Sequence, residues 1–343
     1  MTLSRPANFR RHVFTRAARH LFRLSLLAPS LVLLLNSGIR AQTIDAPDDE
    51  EVLRVNTDLI TVPVVVTDAR GRRFANLMRR DFEVRDGGRS VRLDYFSSGT
   101  ERVAVVFALD ASGSARDHIA KQTEAALAMF TRFGDNSRIA VLPFAAQAEF
   151  TLPFTSNLER ARDAFQLSAR RNQTTAIFDA ASLAVRAFNV AGADARERRI
   201  VILSSDGLDT ASRTPPASVI NDARLRGVSI YVIHFPLFTP RGNGLVVRRR
   251  AKGFRELAEQ TGGHYFLLGD SRTALDPRAS YDLAPIFRAI AEDLQSQYML
   301  GYYLDAAARN QSDRRIQVNL TPAHKRLRVQ MLRESVRTVT SDK

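Results

Sequence analysis

The sequence predicts an α/β protein with a doubly wound, mostly parallel sheet and an accessory antiparallel β subdomain formed by both flanks. Seven consecutive apolar residues, VAVVFAL at 103–109, are typical of a parallel strand that is buried on both faces. Strand-like runs then alternate with helical repeats, which predicts right-handed crossovers and a parallel sheet. Alternating apolar residues before residue 100 and after residue 297 predict antiparallel strands at both ends.

The amino-terminal flank is predicted to form a small β unit at 42–100. Its run LITVPVVVT is interrupted by Pro63, which favours an edge strand or a bulge because proline lacks a backbone donor. The stretch DFEVRDGGRSVRLDYF alternates across Gly87 and Gly88, which predicts a β-hairpin. Because a hairpin alone is marginally stable, we expect this unit to pack with three strands predicted at 297–343, YMLGYYLD, RRIQVNLT and RLRVQML.

The central domain is predicted at 101–296, with helices and strands in alternation. After VAVVFAL the predicted order is a helix through Ile119, Ala126, Phe130 and Phe133, strands at 138–145 and 148–155, helices at 157–169 and 176–190, a strand at 198–207, a helix at 216–226, a strand at 228–238, a helix at 253–261, a strand at 264–270 and a helix from Leu283 to Leu294. Residues 239–252, with Pro240, two glycines and three consecutive arginines, are predicted as a basic surface loop.

Residues 1–41 have the pattern of a secretory signal peptide. They hold seven arginines and no acid, an apolar stretch from Leu24 to Leu35, and small or apolar residues before Ala41. We therefore expect export to the periplasm, the cell surface or the medium, with no stable membrane span after cleavage. An uncleaved anchor is the alternative, although the apolar stretch is short for a spanning helix. The absence of cysteine excludes disulfides, thiolate metal sites and a lipidated amino terminus.

Polar residues lie in three separate loops, where predicted strands end and predicted helices begin. Asp110, Ser112 and Ser114 come after VAVVFAL, Thr175 opens a helix, and Asp206 follows the strand IVILSS. The carboxyl edge of a parallel sheet is where ligands bind, and several hard oxygens gathered there suggest a magnesium site. Each position also has a simpler interpretation. Ser114 and Thr175 could cap helices, and Asp206 could serve only in a turn.

These residues resemble the von Willebrand factor A (VWA) family with its metal-ion-dependent adhesion site. DASGS at 110–114 matches the family's DxSxS motif, TAIFDA resembles the stretch that follows its threonine ligand, and SSDG stands where the family usually has Thr-Asp-Gly. The resemblance covers 101–296 and implies a Rossmann-like VWA fold. It implies that Ser112, Ser114 and Thr175 contact Mg²⁺ or Mn²⁺, while Asp110 and Asp206 hold coordinated waters.

The chain also departs from the family's pattern near the threonine ligand. Gln173 and Thr174 replace glycines that often precede it, so Thr174 stays open as an alternative ligand to Thr175. The flanking segments VPVVVTDARGR, DFEVRDGGRSV and SQYMLGYY further resemble those of an exported VWA-related family described from Acidobacteria.

The resemblance implies a binding or adhesion module, and not an enzyme, whose metal accepts an Asp or Glu from a partner protein. One alternative is a magnesium-dependent phosphoryl-transfer enzyme that uses Asp110, although Ser112 stands where such an enzyme has a second carboxylate. Another is a VWA scaffold with a vestigial metal site. No GxSxG, GxxxxGK or GxGxxG motif supports hydrolase or nucleotide chemistry.

Zinc and nucleic acid are not expected as ligands. The six histidines show no paired metal-ligand spacing, and His234 is predicted to be a core residue with a satisfied hydrogen bond. The formal charge of +14 could indicate nucleic-acid binding, but arginine runs are usually solvated surface and the chain is expected to be exported.

Overall fold

The structure is a computed structural model in which the chain from Val55 onward forms one unit. It describes residues 59–100, 102–111, 116–133, 137–166, 174–189, 196–269, 282–304, 314–332 and 335–336, without the side chains of 116–122 and 335–336. The predicted signal at 1–41 lies outside the described residues. So do two residues of the predicted metal site, Ser112 and Ser114.

Strands and helices alternate through the middle of the chain, with further strands on either side. The strands are β1 (Leu59–Thr67), β2 (Phe82–Asp86), β3 (Arg89–Val91), β4 (Tyr95–Ser98), β5 (Val103–Asp110), β6 (Arg138–Phe144), β7 (Leu152–Thr155), β8 (Arg198–Ser205), β9 (Val228–His234), β10 (Phe238–Arg241), β11 (Gly244–Val247), β12 (Tyr265–Leu267), β13 (Tyr298–Tyr303), β14 (Arg314–Leu320), β15 (Arg328–Met331) and β16 (Ser335–Val336). The helices are α1 (Arg116–Phe130), α2 (Leu158–Ala164), α3 (Ile177–Arg186), α4 (Pro216–Arg226), α5 (Phe254–Glu259) and α6 (Ala284–Gln295).

The central sheet has the strand order β12-β9-β8-β5-β6-β7, and its neighbours are parallel except for the antiparallel pair β6 and β7. Every residue of β5 is buried. Val105 and Phe107 pack with α1, α2 and α6 on one face, whereas Val106 and Ala108 pack with α3, α4 and α5 on the other. The predicted doubly wound sheet, with VAVVFAL at its centre, is therefore confirmed.

Two four-stranded antiparallel sheets combine strands from both flanks of the central domain. Their orders are β15-β1-β13-β4 and β16-β14-β2-β3. Side chains from the two sheets share one apolar core, in which Val62 and Val84 from the amino-terminal flank contact a cluster that includes Leu300 and Ile316 from the other flank. The predicted accessory antiparallel subdomain from both flanks is thus confirmed. The boundaries at 42–100, 101–296 and 297–343 stay predictions.

The expectation that Pro63 marks an edge strand or a bulge is wrong. β1 lies inside its sheet, pairing with β13 on one side and β15 on the other, and its register with β13 runs through Pro63 without a shift. Proline is tolerated because the pairing with β15 begins only at Val64, and the carbonyl oxygen of Pro63 still accepts a hydrogen bond from Leu332 N over 2.9 Å. The missing N–H therefore falls at the end of that ladder.

The predicted surface loop at 239–252 is partly ordered as a hairpin. β10 and β11 pair antiparallel across a two-residue turn in which Gly242 has a φ of 59°, a conformation that glycine adopts without strain. Most other predicted elements are present but shorter at their ends, while α4 matches its predicted bounds. The hairpin predicted around Gly87 and Gly88 is confirmed. Among the described residues no helix is long and apolar enough to span a membrane.

Candidate metal centre

The carboxyl ends of three adjacent strands, β6, β5 and β8, meet at one edge of the central sheet. Asp110 is the last residue of β5 and lies in register with Phe144 at the end of β6. On the other side, Leu109 lies in register with Ser204 of β8, so Asp206 follows directly at the same edge. Since neighbouring strands are about 5 Å apart, the sheet itself places Asp110 and Asp206 close together.

The loop that carries Thr175 is fixed against this edge by main-chain hydrogen bonds. Ala176 N donates to the carbonyl oxygen of Ala145, directly after β6, over 2.8 Å. Thr175 is buried, and its N–H donates to the hydroxyl of Thr210 over 2.8 Å. Thr210 N–H donates back to the Thr175 carbonyl oxygen over 2.8 Å. The structure therefore brings Asp110, Thr175 and Asp206 to one edge, and their role as metal ligands stays a prediction.

The Asp110 carboxylate is held by a residue of the neighbouring strand. Asp110 is only 1% exposed, and the Ser205 hydroxyl donates to its Oδ2 over 2.6 Å. Ser205 Oγ in turn accepts a hydrogen bond from Gly207 N over 3.2 Å. Sequence reasoning missed Ser205 as a site residue. Its signal was its place beside Asp206, since pairing β5 with β8 in parallel puts it opposite Asp110.

Asp206 has both a turn role and a place at the candidate site. Its Oδ1 accepts a hydrogen bond from Leu208 N over 2.8 Å, and Gly207 follows with a φ of 78°. The simpler interpretation of Asp206 as a turn residue is therefore correct as far as this oxygen is concerned. The turn also fixes the direction of the carboxylate, which is what a positioned ligand or water-holding group requires.

His234 supports the Asp206 loop from the end of β9. It is buried, its Nε2 lies 2.8 Å from the Asp206 carbonyl oxygen, and its Nδ1 is hydrogen-bonded to the Tyr265 hydroxyl. Burial lowers the pKa of His234, and nearby Arg250 adds to that effect against the opposing Asp206 carbonyl. A carbonyl only accepts, so the neutral ring carries its proton on Nε2 and accepts from Tyr265 at Nδ1. The prediction of a core histidine with satisfied hydrogen bonds is confirmed.

The amino terminus of α3 is capped by side chains from the loop after Asp206. Asp209 Oδ1 accepts from Ile177 N over 2.8 Å, and Ser212 Oγ accepts from Phe178 N over 2.9 Å. The alternative that Thr175 caps its own helix is wrong, because the N-cap position is Ala176 and no side chain there makes a cap hydrogen bond. Sequence reasoning missed these caps, since the capping residues lie far along the chain from the helix.

Asp179 of α3 holds the loop that follows Asp206 by accepting hydrogen bonds from its main chain. Its carboxylate accepts hydrogen bonds from Arg213 N over 3.1 Å and from Thr214 N over 2.8 Å. Burial alone would raise the pKa of Asp179, but these hydrogen bonds and the charge of Arg213 outweigh it and lower the pKa. The Thr175 loop and the Asp206 loop are therefore one interlocked structure.

The donor set at this edge fits a hard divalent cation. Asp110 and Asp206 offer carboxylate oxygens and Thr175 offers a hydroxyl, which are the ligand types that Mg²⁺ and Mn²⁺ take. The chain has no cysteine, and no cluster of three or more His, Cys, Asp or Glu side chains that could hold a metal occurs among the described residues. A site here would therefore depend on hydroxyl ligands, as the predicted DxSxS motif does.

Residues 104–278 match the sequence model of the von Willebrand factor type A domain. That span covers the central sheet from β5 to β12 and every described residue of the candidate site. The chain belongs to the VWA family. This VWA domain is an insertion in chain order between the two groups of strands that build the accessory sheets.

Several solved structures are similar to this chain at low identity. An aerotolerance-related membrane protein from Bacteroides fragilis is 20% identical, with a TM-score of 0.41 over 56% of this chain and 98% of its own. A von Willebrand factor type A protein from Catenulispora acidiphila is 15% identical, with a TM-score of 0.44 over 83% of this chain and 75% of its own.

Another solved structure is proximal thread matrix protein 1 from the mussel byssus, whose own MIDAS motif is occupied by zinc. It is 18% identical, with a TM-score of 0.44 over 60% of this chain and 48% of its own. No curated protein matches the chain. At these values the structural likenesses carry no argument about function, and the family assignment rests on the matched domain.

Proposed function

We propose that this VWA protein is an exported module that binds a partner protein through Mg²⁺ or Mn²⁺ at the carboxyl edge of its central sheet. The observation that supports this most is the meeting of Asp110, Thr175 and Asp206 at one edge, where each is held by hydrogen bonds. Hydrogen-bonded, buried side chains lose little freedom when a ligand binds, so the edge is organised in advance.

The residues proposed to hold the cation follow from the VWA motif. Ser112, Ser114 and Thr175 would contribute hydroxyl oxygens, with Thr174 as the alternative to Thr175, and Asp110 and Asp206 would act through coordinated waters. When bound, the cation supplies an electrophilic centre that accepts a carboxylate oxygen of the partner. Because the hydroxyl ligands add no negative charge, an Asp or Glu of the partner gains a charge-assisted contact.

Within this proposal the chain's own residues hold the proposed metal ligands in place and take no part in a chemical reaction. Ser205 orients the Asp110 carboxylate, Thr210 and Ala176 fix the Thr175 loop, and His234 holds the main chain at Asp206. The geometry supports binding better than phosphoryl transfer. Asp110, the only nucleophile that the sequence offered for that chemistry, is buried and already accepts a hydrogen bond from Ser205.

Thermal unfolding in Mg²⁺ or Mn²⁺ against EDTA tests the metal site. At a hundredfold excess of cation over Kd the stabilisation is about 2.7 kcal/mol, which gives a visible rise in Tm. Ser112→Ala should remove the rise, whereas Ser218→Ala, an exposed serine on α4, should keep it. An unchanged metal response in Ser112→Ala would remove this serine from the site, and no response in the unaltered protein would leave a scaffold with a vestigial site.

Binding to a partner is the second test of the proposal. The unaltered protein should capture its partner in Mg²⁺ and release it in EDTA. Asp110→Ala should weaken capture in Mg²⁺, as the chelator does for the unaltered protein. Alanine replacement of the partner's acidic residues, one at a time, should reveal one position that reproduces the chelator effect, with a loss of about 2 kcal/mol or more. Full binding in excess EDTA would overturn the proposal.

A further inference from the structure

Beside the candidate metal centre lies a segment with an unusual concentration of positive charge. We call residues 238–252 the basic hairpin; it comprises β10, β11 and the stretch that follows. It carries five cations and no acid, namely Arg241, Arg248, Arg249, Arg250 and Lys252. All five are exposed. Like charges at adjacent positions repel one another, so this arrangement is unfavourable in the isolated chain unless a partner offsets it.

The cations of the basic hairpin have no carboxylate partners among the described residues. Within the part of the chain that the structure describes, none of the five makes an ion pair. The guanidinium of Arg250 instead lies 5.6 Å from the centre of the Tyr265 ring. Arg255 of α5, which also lies over the Tyr265 ring, differs because it pairs with Glu259 over 2.6 Å.

The base of the basic hairpin is attached to the residue next to Asp206. Ala251 N donates to the Gly207 carbonyl oxygen over 2.8 Å, and a Cβ at Gly207 would lie 3.1 Å from Arg250 Cβ. Three residues of extended chain span at most about 11 Å, so the backbones of Arg248 and Arg249 lie within that distance of Ala251. This distance is comparable to the screening length of about 8 Å at physiological ionic strength.

Two features of the basic hairpin favour a polypeptide over other polyanions. Val246 and Val247 are each 42% exposed beside the arginines, which adds apolar contact surface. The sheet of β10 and β11 has only these two strands in the described chain, so main-chain donors and acceptors at its edges are available to an added strand. Phosphate or sulfate polymers use neither feature.

We propose that the basic hairpin is a second contact surface for the partner, and that it selects a protein segment in which the metal-bound Asp or Glu is surrounded by further acids. The planar guanidinium groups of Arg248 and Arg249 would form paired hydrogen bonds with those additional carboxylates. This inference rests on the proposed metal-dependent function and deepens it, because it names the chemistry of the partner on either side of the metal-bound acid.

Two labelled peptides test the selection in the full-length protein. One carries a single aspartate within a Gly-Ser sequence, and the other carries a run of aspartates in the same sequence. Fluorescence anisotropy in Mg²⁺ should show tighter binding of the acid-rich peptide. The double variant Arg248→Ser with Arg249→Ser should bind that peptide about tenfold more weakly, equivalent to about 1.4 kcal/mol. Its affinity for the single-aspartate peptide should be nearly unchanged. Arg250 is kept because a Cβ at Gly207 would lie 3.1 Å from its own Cβ, so it packs against the Asp206 loop.

A matched control separates this effect from total charge. Arg85→Ser with Arg89→Ser removes the same charge from exposed positions on β2 and β3 of the accessory subdomain, and should leave both peptides unaffected. The Mg²⁺-dependent rise in Tm should persist in both double variants, which reports that fold and metal binding are intact. Equal affinities of the Arg248/Arg249 variant and the unaltered protein for the acid-rich peptide would overturn the inference.

EDTA distinguishes failure of the inference from failure of the proposed function. If EDTA leaves peptide binding intact while the Arg248/Arg249 variant still loses the acid-rich peptide, the basic hairpin stands as a binding surface and the metal mechanism fails. If EDTA abolishes binding and the variant behaves like the unaltered protein, the metal mechanism stands and the hairpin inference fails. Tighter, hairpin-dependent binding of phosphatidylglycerol vesicles or heparin than of the acid-rich peptide would also overturn it.

Discussion

The two ends of the central sheet both carry buried polar groups, yet they use them differently. At the carboxyl end, Asp110 comes from the end of β5 and Thr175 and Asp206 from two loops, and all three hydrogen-bond with hydroxyls or main-chain N–H groups. At the amino end, charged groups pair with charged or polar groups elsewhere in the chain. Arg138 at the start of β6 makes two hydrogen bonds to Glu197, over 2.9 and 2.7 Å.

A buried network extends from the amino end of the sheet to the accessory subdomain. Arg198, the first residue of β8, donates to Gln297 Oε1 over 2.6 Å, and burial lowers its pKa to about 10. Gln297 also donates to Asp293 Oδ2 over 2.9 Å. Asp293 accepts from the Tyr231 hydroxyl over 2.6 Å and pairs with Arg73, from the segment after β1, over 2.6 Å. Burial raises the pKa of Tyr231, and the nearby Asp293 adds to that rise.

The comparison shows that buried charge alone does not identify a functional site. The Asp293 network holds groups with strongly shifted pKa values, but its partners are supplied by the chain and join the accessory strands to the VWA domain. Perturbed pKa values accompany structural networks as well as active sites. The carboxyl edge is the better candidate because its donors are positioned ligand types at a strand-end location.

Among the changes that test this comparison, removal of residues 297–343 should lower stability the most. It deletes Gln297 and β13, which lies between β1 and β4, so the accessory sheets lose their shared core. Limited proteolysis should then cut early between residues 59 and 98, while segments of the central sheet resist longer. Equal protease resistance in the truncated and full-length proteins would show that the two flanks fold independently.

Asp293→Ala should be the most destabilising single change. Removing one partner of a buried ion pair costs about 3–5 kcal/mol because the remaining charge stays buried. Asp222→Ala is the control, since its pairs with Arg186 and Arg226 are more exposed and should contribute less than about 1 kcal/mol. Urea unfolding measures both. The Mg²⁺-dependent rise in Tm should survive in Asp293→Ala, and its loss would contradict the separation of the two ends.

Ser205→Ala should act at the opposite end with a smaller effect on stability. A hydrogen bond to a charged group contributes about 1.5–3 kcal/mol, and loss of a residue that orients a metal-site carboxylate typically weakens metal binding about tenfold to a hundredfold. Titration calorimetry with Mn²⁺ measures the affinity. Ser229→Ala removes a hydroxyl that contacts Arg198 at the amino end over 3.0 Å, so it should lower stability and leave Mn²⁺ affinity unchanged.

The smallest expected effect is the change with pH, near neutrality, in the stability that Asp293 contributes. Burial would raise the pKa of Asp293, but its interactions with His264, Arg73 and Tyr231 outweigh burial and lower it. A lowered folded pKa gives stability that is present above the unfolded value of about 3.9 and is lost as the pH falls through the folded value. The stability difference between the unaltered protein and Asp293→Asn should therefore shrink below about pH 4 in urea titrations.

The central sheet could be predicted because its signals are local. VAVVFAL and the repeats after it carry their burial in the sequence itself, and the positions of Asp110, Thr175 and Asp206 followed from where strands end. Pro63 was misjudged because its tolerance depends on where the β15 pairing begins, far along the chain. Asp209, Ser212 and the Arg73–Asp293 pair were missed for the same reason. Side-chain partners that are remote in sequence leave no periodic pattern.

The interleaving of the two flanks also determines the order in which the chain can fold. Leu59 pairs with Tyr303, and Val64 pairs with Met331, whereas the strands of the central sheet lie entirely between Val103 and Leu267. As the chain emerges from its amino end, the VWA sheet can close while β1, whose residues from Ile60 to Val66 are all buried in the finished fold, still has no partner. An unpaired apolar strand is a template for aggregation. The chain is therefore most vulnerable before its last strands emerge, and assistance by a chaperone matters most in that interval.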